Sequence, residues 1–378
     1  MPIKKTDKKE ILPLILCGVF FVILLLLPTG FEQAAQFKDA EKSRARVLSV
    51  SNDRIIDTGL IRTGQQLCTV EILGGKLKGI TADGYNTLNG SLESDKIFSQ
   101  GDIVQCVIHY EKNNNEYVIL SLSLIDHYRI HYEIILFFLF AVLIIIFAGK
   151  TGLRSLFSFV LSILSIWKIL IPLLLKGVNP LLIGMSVSLF LTVLIISLVY
   201  GFDKRCLSAC TASFAGILVT ALLSIICSAI FKIHGAVMPY SESLLYSGFA
   251  HLNLTGIFTA SIFIGASGAM MDLSVDITSA VHEIVQLNPD ISKKRACISG
   301  MNVARAAIGT MTTTLLLAYS GGYIALLMVF MAQGTPIQNI LNYRYIASEI
   351  IHTLAGSFGL VTVAPFTAVF ASLIMVKR

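Results

Sequence analysis

From Ile130 onward this sequence is a succession of apolar runs, each about long enough to cross a bilayer, and that limits the fold more than any motif does. A helix needs about twenty apolar residues to span a ~30 Å hydrocarbon core. Seven such runs fall at roughly 130–149, 152–175, 180–202, 207–231, 256–281, 300–320 and 346–376. An eighth, from about Ile11 to Leu27, follows Lys4, Lys5, Lys8 and Lys9, the pattern of a signal sequence or signal anchor. No small-residue cleavage site follows at once, which favours an uncleaved anchor. Charge is distributed to match. Residues 1–129 hold 15 Lys/Arg and 15 Asp/Glu, whereas residues 130–378 hold 14 and 8 in nearly twice the length. That pattern excludes a soluble enzyme, a disordered tail and a nucleic-acid-binding domain. It implies a mainly α, polytopic membrane helix bundle of about eight spans with a small extracytoplasmic β domain inserted. Residues 1–28 form a tail and anchor helix, 29–128 the β domain, and 129–378 a bundle of about seven spans.

The connections set an orientation. With the N-terminus inside, thirteen cationic residues from Lys4 to Arg378 lie on the inner side, against Lys176, Lys232 and Arg344 in short outer connections. The positive-inside rule then puts both termini in the cytoplasm and residues 29–128 outside. Gly321 to Gly334 is apolar but reaches only about two-thirds of a core at ~1.5 Å per residue, so an outer interfacial or re-entrant segment is expected.

Within 29–128, strand-like runs fall at Arg46–Ile56, Gln66–Leu73, Lys78–Asp83, Asp102–Tyr110 and Tyr117–Leu124. Turn signals separate them at Thr63-Gly64, Gly74-Gly75, Asp83-Gly84, Asn89-Gly90, Gly101-Asp102 and Asn113-Asn114-Asn115. Five short strands with such turns suit a small OB-like barrel. Ten Lys/Arg against thirteen Asp/Glu leave no basic groove for nucleic acid, so a structural or partner-docking domain is expected. Cys68 and Cys106 fall in different strands and either pair or stay as buried thiols. Cys206 and Cys210 lie four apart without a nearby His, which is poor evidence for metal.

Charges inside apolar spans are costly and so point to function. Asp272 and Asp276 are one helical turn apart on one face, preceded by Gly265 and Gly268, which let a neighbouring helix approach. Together they suit a proton or cation relay; solvation of both at the cytoplasmic interface is the plainer reading. Asn302 and Arg305 stand in the next span with Gly309, Thr310 and Thr313. Arg305 either pairs with one of the Asp residues or snorkels to phosphate. The threonines either line the same interface or bond back to their own helix. Glu349 and His352 share a face of the last span and can relay a proton, though capping competes and two residues make a weak metal site. Lys168, beside Trp167, reads as an interfacial anchor. No metal and no cofactor is expected.

The run GASGAMMDLSVDITSAVHEI, followed by ISKKRACISGMNVARAAIGTMTTTLLLAYSGG, resembles the YibE/F family of bacterial multi-span membrane proteins. The anchor and external domain match its longer, YibE-like members. The resemblance implies a shorter YibF-like partner subunit and a bacterial plasma-membrane location, and says little about activity. More distantly, the plan is similar to that of RND permeases and SecD/SecF, where an Asp-bearing helix couples to protons. Here, however, the Asp residues are four apart rather than adjacent.

Three functions compete: a proton- or cation-coupled transporter or export-assisting subunit, a non-transporting scaffold whose outer domain binds a partner or cell-envelope component, and a membrane-embedded hydrolase. The first predicts Asp272 and Asp276 buried against the Arg305 span and near Glu349 or His352. The scaffold predicts Asp side chains facing water and no polar path. No hydrolase motif is present, so the protein is not expected to be an enzyme.

Overall fold

A computed structural model describes residues 8–31, 40–113 and 116–376. Lys4, Lys5, Lys377, Arg378 and the Asn114-Asn115 turn lie outside the described residues. Contacts divide the chain into two compact units: Phe31–Leu143, and α1 (Lys8–Leu26) together with everything from Ile144 onward.

The first unit contains strands β1 (Glu41–Ser51), β2 (Ile55–Asp57), β3 (Arg62–Ile72), β4 (Thr81–Asn89), β5 (Ile103–Asn113) and β6 (Glu116–His127). β1 pairs antiparallel with both β3 and β5, β3 with β4, and β5 with β6. A parallel β4–β6 contact closes the ring of five, with β2 hanging on β3 as a short hairpin arm. This is the five-stranded Greek-key barrel expected of an OB-type domain. A bulge between Val47 and Ser49 lets β1 bend to serve two neighbours.

The strand boundaries depart from the sequence reading at Gly84. Asp83-Gly84 looks like a turn, yet both residues lie inside β4. Gly84 is needed there because the Leu122 side chain fills the place a Cβ would take. The real turn lies earlier, between β3 and β4, where Gly75 and Gly79 adopt positive φ.

Alternate residues of β3 point inward: Gln66, Cys68, Val70 and Ile72. Cys68 and Cys106 are both free thiols in the barrel core, and burial pushes each up to about 11, so both stay protonated at neutral pH. They cannot pair. Cys68 faces Val50 and Cys106 faces Ser43 on the intervening β1. Seven residues of strand is roughly 20 Å, far beyond the Cα separation a disulfide tolerates.

Gln66 is the polar exception in that core. Its Nε2 donates to the Phe98 carbonyl (2.8 Å) and to Asn52 Oδ1 (2.9 Å). Its Oε1 accepts from the Phe98 amide (3.0 Å) and from Asn86 Nδ2 (3.1 Å). Asn86 also donates to the Lys96 carbonyl (2.7 Å), so the two side chains hold the 91–101 loop against the barrel. Asp95 anchors the start of that loop. Amides of Asn89, Ser91 and Gly90 point at its carboxylate and hold its pKa below the usual carboxylate range.

From Ile130 onward the chain is helical, residues 130–143 belonging to the first unit and the rest to the second. α2 (Ile130–Ser165) runs through a π-helical turn (Ile166–Leu170) into α3 (Ile171–Leu175). Gly149, at φ +55°, breaks α2 into two helices in series. α4 (Pro180–Tyr200), α5 (Lys204–Ile230), the short α6 (Ser241–Tyr246), α7 (Leu254–Leu287) and α8 (Lys293–Ser320) follow. α9 (Ile324–Ala332), α10 (Ile337–Asn342) and α11 (Arg344–Met375) complete it. Several begin at side-chain caps, Asn179, Asp203, Asn253 and Ser292 accepting from first-turn amides.

By length and composition six helical runs can cross a membrane, and Leu12–Leu26 is a shorter apolar helix. The count falls below eight for two reasons: α1 is short, and the two runs expected at 130–149 and 152–175 join through Gly149. At nine residues, about 14 Å, α9 is too short to cross alone.

α11 lies against α5, α7 and α8, and the core between them is built largely from Ala, Gly and Met. Close approach depends on Gly216 beside Val363, Gly300 beside Val281 and Ala368, and Gly359 beside Thr220 and Met270. At the edge of the bundle Lys168 has a further contact. Its ammonium donates to the Leu27 carbonyl (2.9 Å) just past α1, closing that helix's free carbonyl end.

Candidate functional site

α7 carries both Asp residues of interest, and a buried hydroxyl cluster sets its rotation. Ser274 accepts from Ser213 of α5 (3.0 Å) and Thr367 of α11 (3.2 Å). Phe263, Leu273, Ile277 and Val281 face the same core. At 100° per residue, Ser261, Gly265, Gly268, Asp272, Asp276, Ser279 and Glu283 then fall within about 40° of one line on the other side. Gly265, Asp272, Asp276, Ser279 and Glu283 are exposed, Ser261 and Gly268 half-buried. From Ser261 to Glu283 this stripe climbs about 33 Å, the height of a bilayer core. Asp272 and Asp276, in its middle, are both exposed.

Its two ends differ. Near Glu283, Tyr200 at the end of α4 bonds to Ser279 and to the Val275 carbonyl (2.6 Å). The Arg205 guanidinium lies 4.8 Å from the Tyr200 ring and is held by Asp203 (2.7 Å). Near Gly265 the stripe meets a polar cluster from two other helices. Tyr319 and His352 stack with ring centroids 4.3 Å apart. Tyr323 lies beside the Glu349 carboxylate, and the His352 imidazole beside the Ser261 backbone. Three buried polar atoms here have no protein partner: Tyr319 Oη, Glu349 Oε1 and His352 Nε2.

The expected constellation is therefore divided. Glu349 and His352 come together, with Tyr319 and Tyr323, which the sequence reading missed. Their signal was present: they lie four residues apart, on one helical face, flanking Gly321-Gly322 at the level of Glu349. Asp272 and Asp276 share a face as expected but are exposed, not buried against α8. Gly265, seven residues from Asp272, separates them from the Glu349–His352 cluster by about 10 Å.

Contacts of Gly300 with Val281 and of Tyr319 with Gly265 set the antiparallel register of α7 and α8, and bring Arg305 level with Asp276. Even so, Arg305 makes no ion pair among the described residues, and its guanidinium turns to Asn302 Oδ1 (3.3 Å). Thr310 and Thr313 bond back to the Ala307 and Gly309 carbonyls of their own helix, so neither bridges to α7. Gly265 is a true close-packing position, since an added Cβ would lie 3.0 Å from Tyr319 Oη. Gly268 and Gly309 face open space and support no contact among the described residues. Cys206 and Cys210 touch, sulfur to sulfur, at 4.0 Å. Among the described residues no three His, Cys, Asp or Glu side chains gather as a metal cluster.

The model of the YibE/F-like protein family matches residues 136–377, from the first half of α2 through α11. The chain belongs to the YibE/F-like family. The match takes in every residue of the α7 stripe and of the Tyr319–His352 cluster and leaves the barrel outside it. No curated protein and no solved structure matches the chain. As a YibE/F-like protein with several long apolar helices it is a membrane protein, and the family description specifies no substrate or activity.

Proposed function

We propose that this YibE/F-like protein is a permease subunit, a transporter or export-assisting component that moves protons or another small cation along the exposed face of α7. One observation carries the reading: a single stripe from Ser261 to Glu283, about as tall as the hydrocarbon core, with two carboxylates in its middle. Ionisable groups on a lipid-facing helix are expensive at that depth, so the stripe needs water or protein against it. The exposed Asp pair favours no relay sealed within this chain's own helices. It supports instead a lane that a second membrane subunit covers, either a shorter YibF-like paralogue or another copy. In this reading the protein sits in a bacterial plasma membrane, spans it about eight times with both termini inside, and holds the barrel outside as a docking domain. It acts as a permease and not as an enzyme.

Exposure of the Asp pair also fits the scaffold reading, which has no use for a polar path. Transport separates the two. In vesicles reconstituted with the partner subunit, Asp272→Asn and Asp276→Asn are each expected to lower gradient-driven flux at least about tenfold, the effect of about 1.4 kcal/mol on the limiting step. Both proteins should insert and fold as the parent does. Full flux in both variants would leave the scaffold reading standing.

A further inference from the structure

The polar cluster at the Gly265 end of the lane can be argued further, resting on the permease reading and adding to it the identity of the coupling ion. Tyr319 Oη, Glu349 Oε1 and His352 Nε2 are each buried and each without a protein partner. Buried polar groups are rarely left so, because each one costs about as much as a broken hydrogen bond. Two of the three converge on one spot. An ideal Cβ on Gly265 would lie 3.0 Å from Tyr319 Oη and 3.5 Å from His352 Nε2, so the missing side chain leaves a small polar recess over the glycine.

The chemistry of the recess follows from the bonds around it. The His352 imidazole lies beside the Ser261 backbone, and with the proton on its other ring nitrogen it presents a lone pair at the unpartnered Nε2. Tyr323 occupies one side of the Glu349 carboxylate and leaves Oε1 as a bare acceptor. The recess itself offers one acceptor and one phenol O–H, and the Glu349 carboxylate stands one helical turn from His352. A water there can accept from Tyr319, donate to His352 Nε2 and turn its second O–H toward Glu349 Oε1.

We infer that Tyr319, Glu349 and His352 bind one water over Gly265, and that this water-bridged carboxylate is where the coupling proton is held. The step is a simple one: a proton from the lane adds to Glu349, forming one O–H bond, and leaves the same way. Among the described residues, the titratable groups facing Glu349 are Tyr319 and Tyr323 from the end of α8 and His352 one turn along α11, with Tyr345 beyond Tyr323. α7 presents only Ser261 and Gly265 at this level.

The test is infrared difference spectroscopy of the full-length protein in lipid, titrated from acid to alkaline pH. A carboxylic C=O stretch that titrates in the parent and is lost in Glu349→Gln is expected. Tyr319→Phe removes the O–H that holds the water against the carboxylate, so the midpoint should move toward alkaline pH by about ten- to a hundredfold in proton concentration. Gly265→Ala fills the recess and should move it the same way, whereas Gly309→Ala adds the same methyl in open space and should not. A Glu349 stretch that ignores pH and responds to sodium, or a parent-like titration in both Tyr319→Phe and Gly265→Ala, overturns the inference. The measurement needs no transport. It can therefore fail while the Asp272 and Asp276 substitutions still abolish flux, and it can succeed where they do not.

Discussion

Gln66→Leu should come close to unfolding the barrel, although leucine matches glutamine in volume and suits an apolar core. The substitution leaves the Phe98 amide, the Phe98 carbonyl and one Asn86 proton buried without partners, since Gln66 alone serves all three. At about 1–3 kcal/mol for each stranded group the total is about 3–9 kcal/mol, a large share of the ~5–15 kcal/mol that holds a small domain folded. The loss should appear first in the 91–101 loop, which Gln66 and Asn86 fasten to the barrel. Hydrogen exchange on the full-length protein would show the loop and the β3 and β4 amides exchanging much faster while the α5, α7 and α11 amides stay protected. Unchanged protection of the loop would mean that the network is not what holds it.

Gly359→Val is expected to have a comparable effect on the helical unit. A Cβ at Gly359 would overlap the Thr220 hydroxyl and the Met270 methyl, and a valine adds two more carbons to a contact with no slack. Overpacking typically costs about 1–3 kcal/mol, and here the obstacle includes a hydroxyl tied to its own helix at Gly216 (2.9 Å). α5 and α11 must move apart, and α7 packs against both. Thermal unfolding in detergent should therefore begin several degrees lower. Gly309→Ala, with nothing near the new methyl, should match or slightly exceed the parent because alanine favours helix over glycine. Equal loss in both variants would show that helix propensity and not the Gly359 contact governs.

The contrast between these two glycines shows where the sequence could be read and where it could not. Apolar runs and their polar breaks marked every long helix, because span length is a property of each segment alone. The barrel was legible from β-branched runs and turn residues, but Gly84 misled, since a strand glycine accommodating Leu122 and a turn glycine look alike in one dimension. Asp272 and Asp276 shared a face as the helical period requires. That this face would be the outer one depended on Ser274 bonding to α5 and α11, hydroxyls with no distinctive spacing. Arg305 stands level with Asp276 without reaching it, because height in a bundle follows from register while contact also needs rotation. Tyr319 and Tyr323 were overlooked since tyrosines near a span end usually read as interfacial anchors; their partners come from α11, some thirty residues away in the chain.

The central claim is that the α7 stripe is wet through the depth of the membrane. It is tested most directly with single cysteines at positions 272, 276 and 283, in a chain whose seven native cysteines are replaced. The probe is a small water-soluble thiol reagent that does not cross lipid. Leu222, exposed on an apolar stretch of α5, supplies the lipid-facing comparison. Positions 272 and 276 should label at rates approaching that of 283 and at least about tenfold faster than 222, as expected of thiols that reach water and ionise there. Labelling of 272 and 276 as slow as that of 222 would contradict the account.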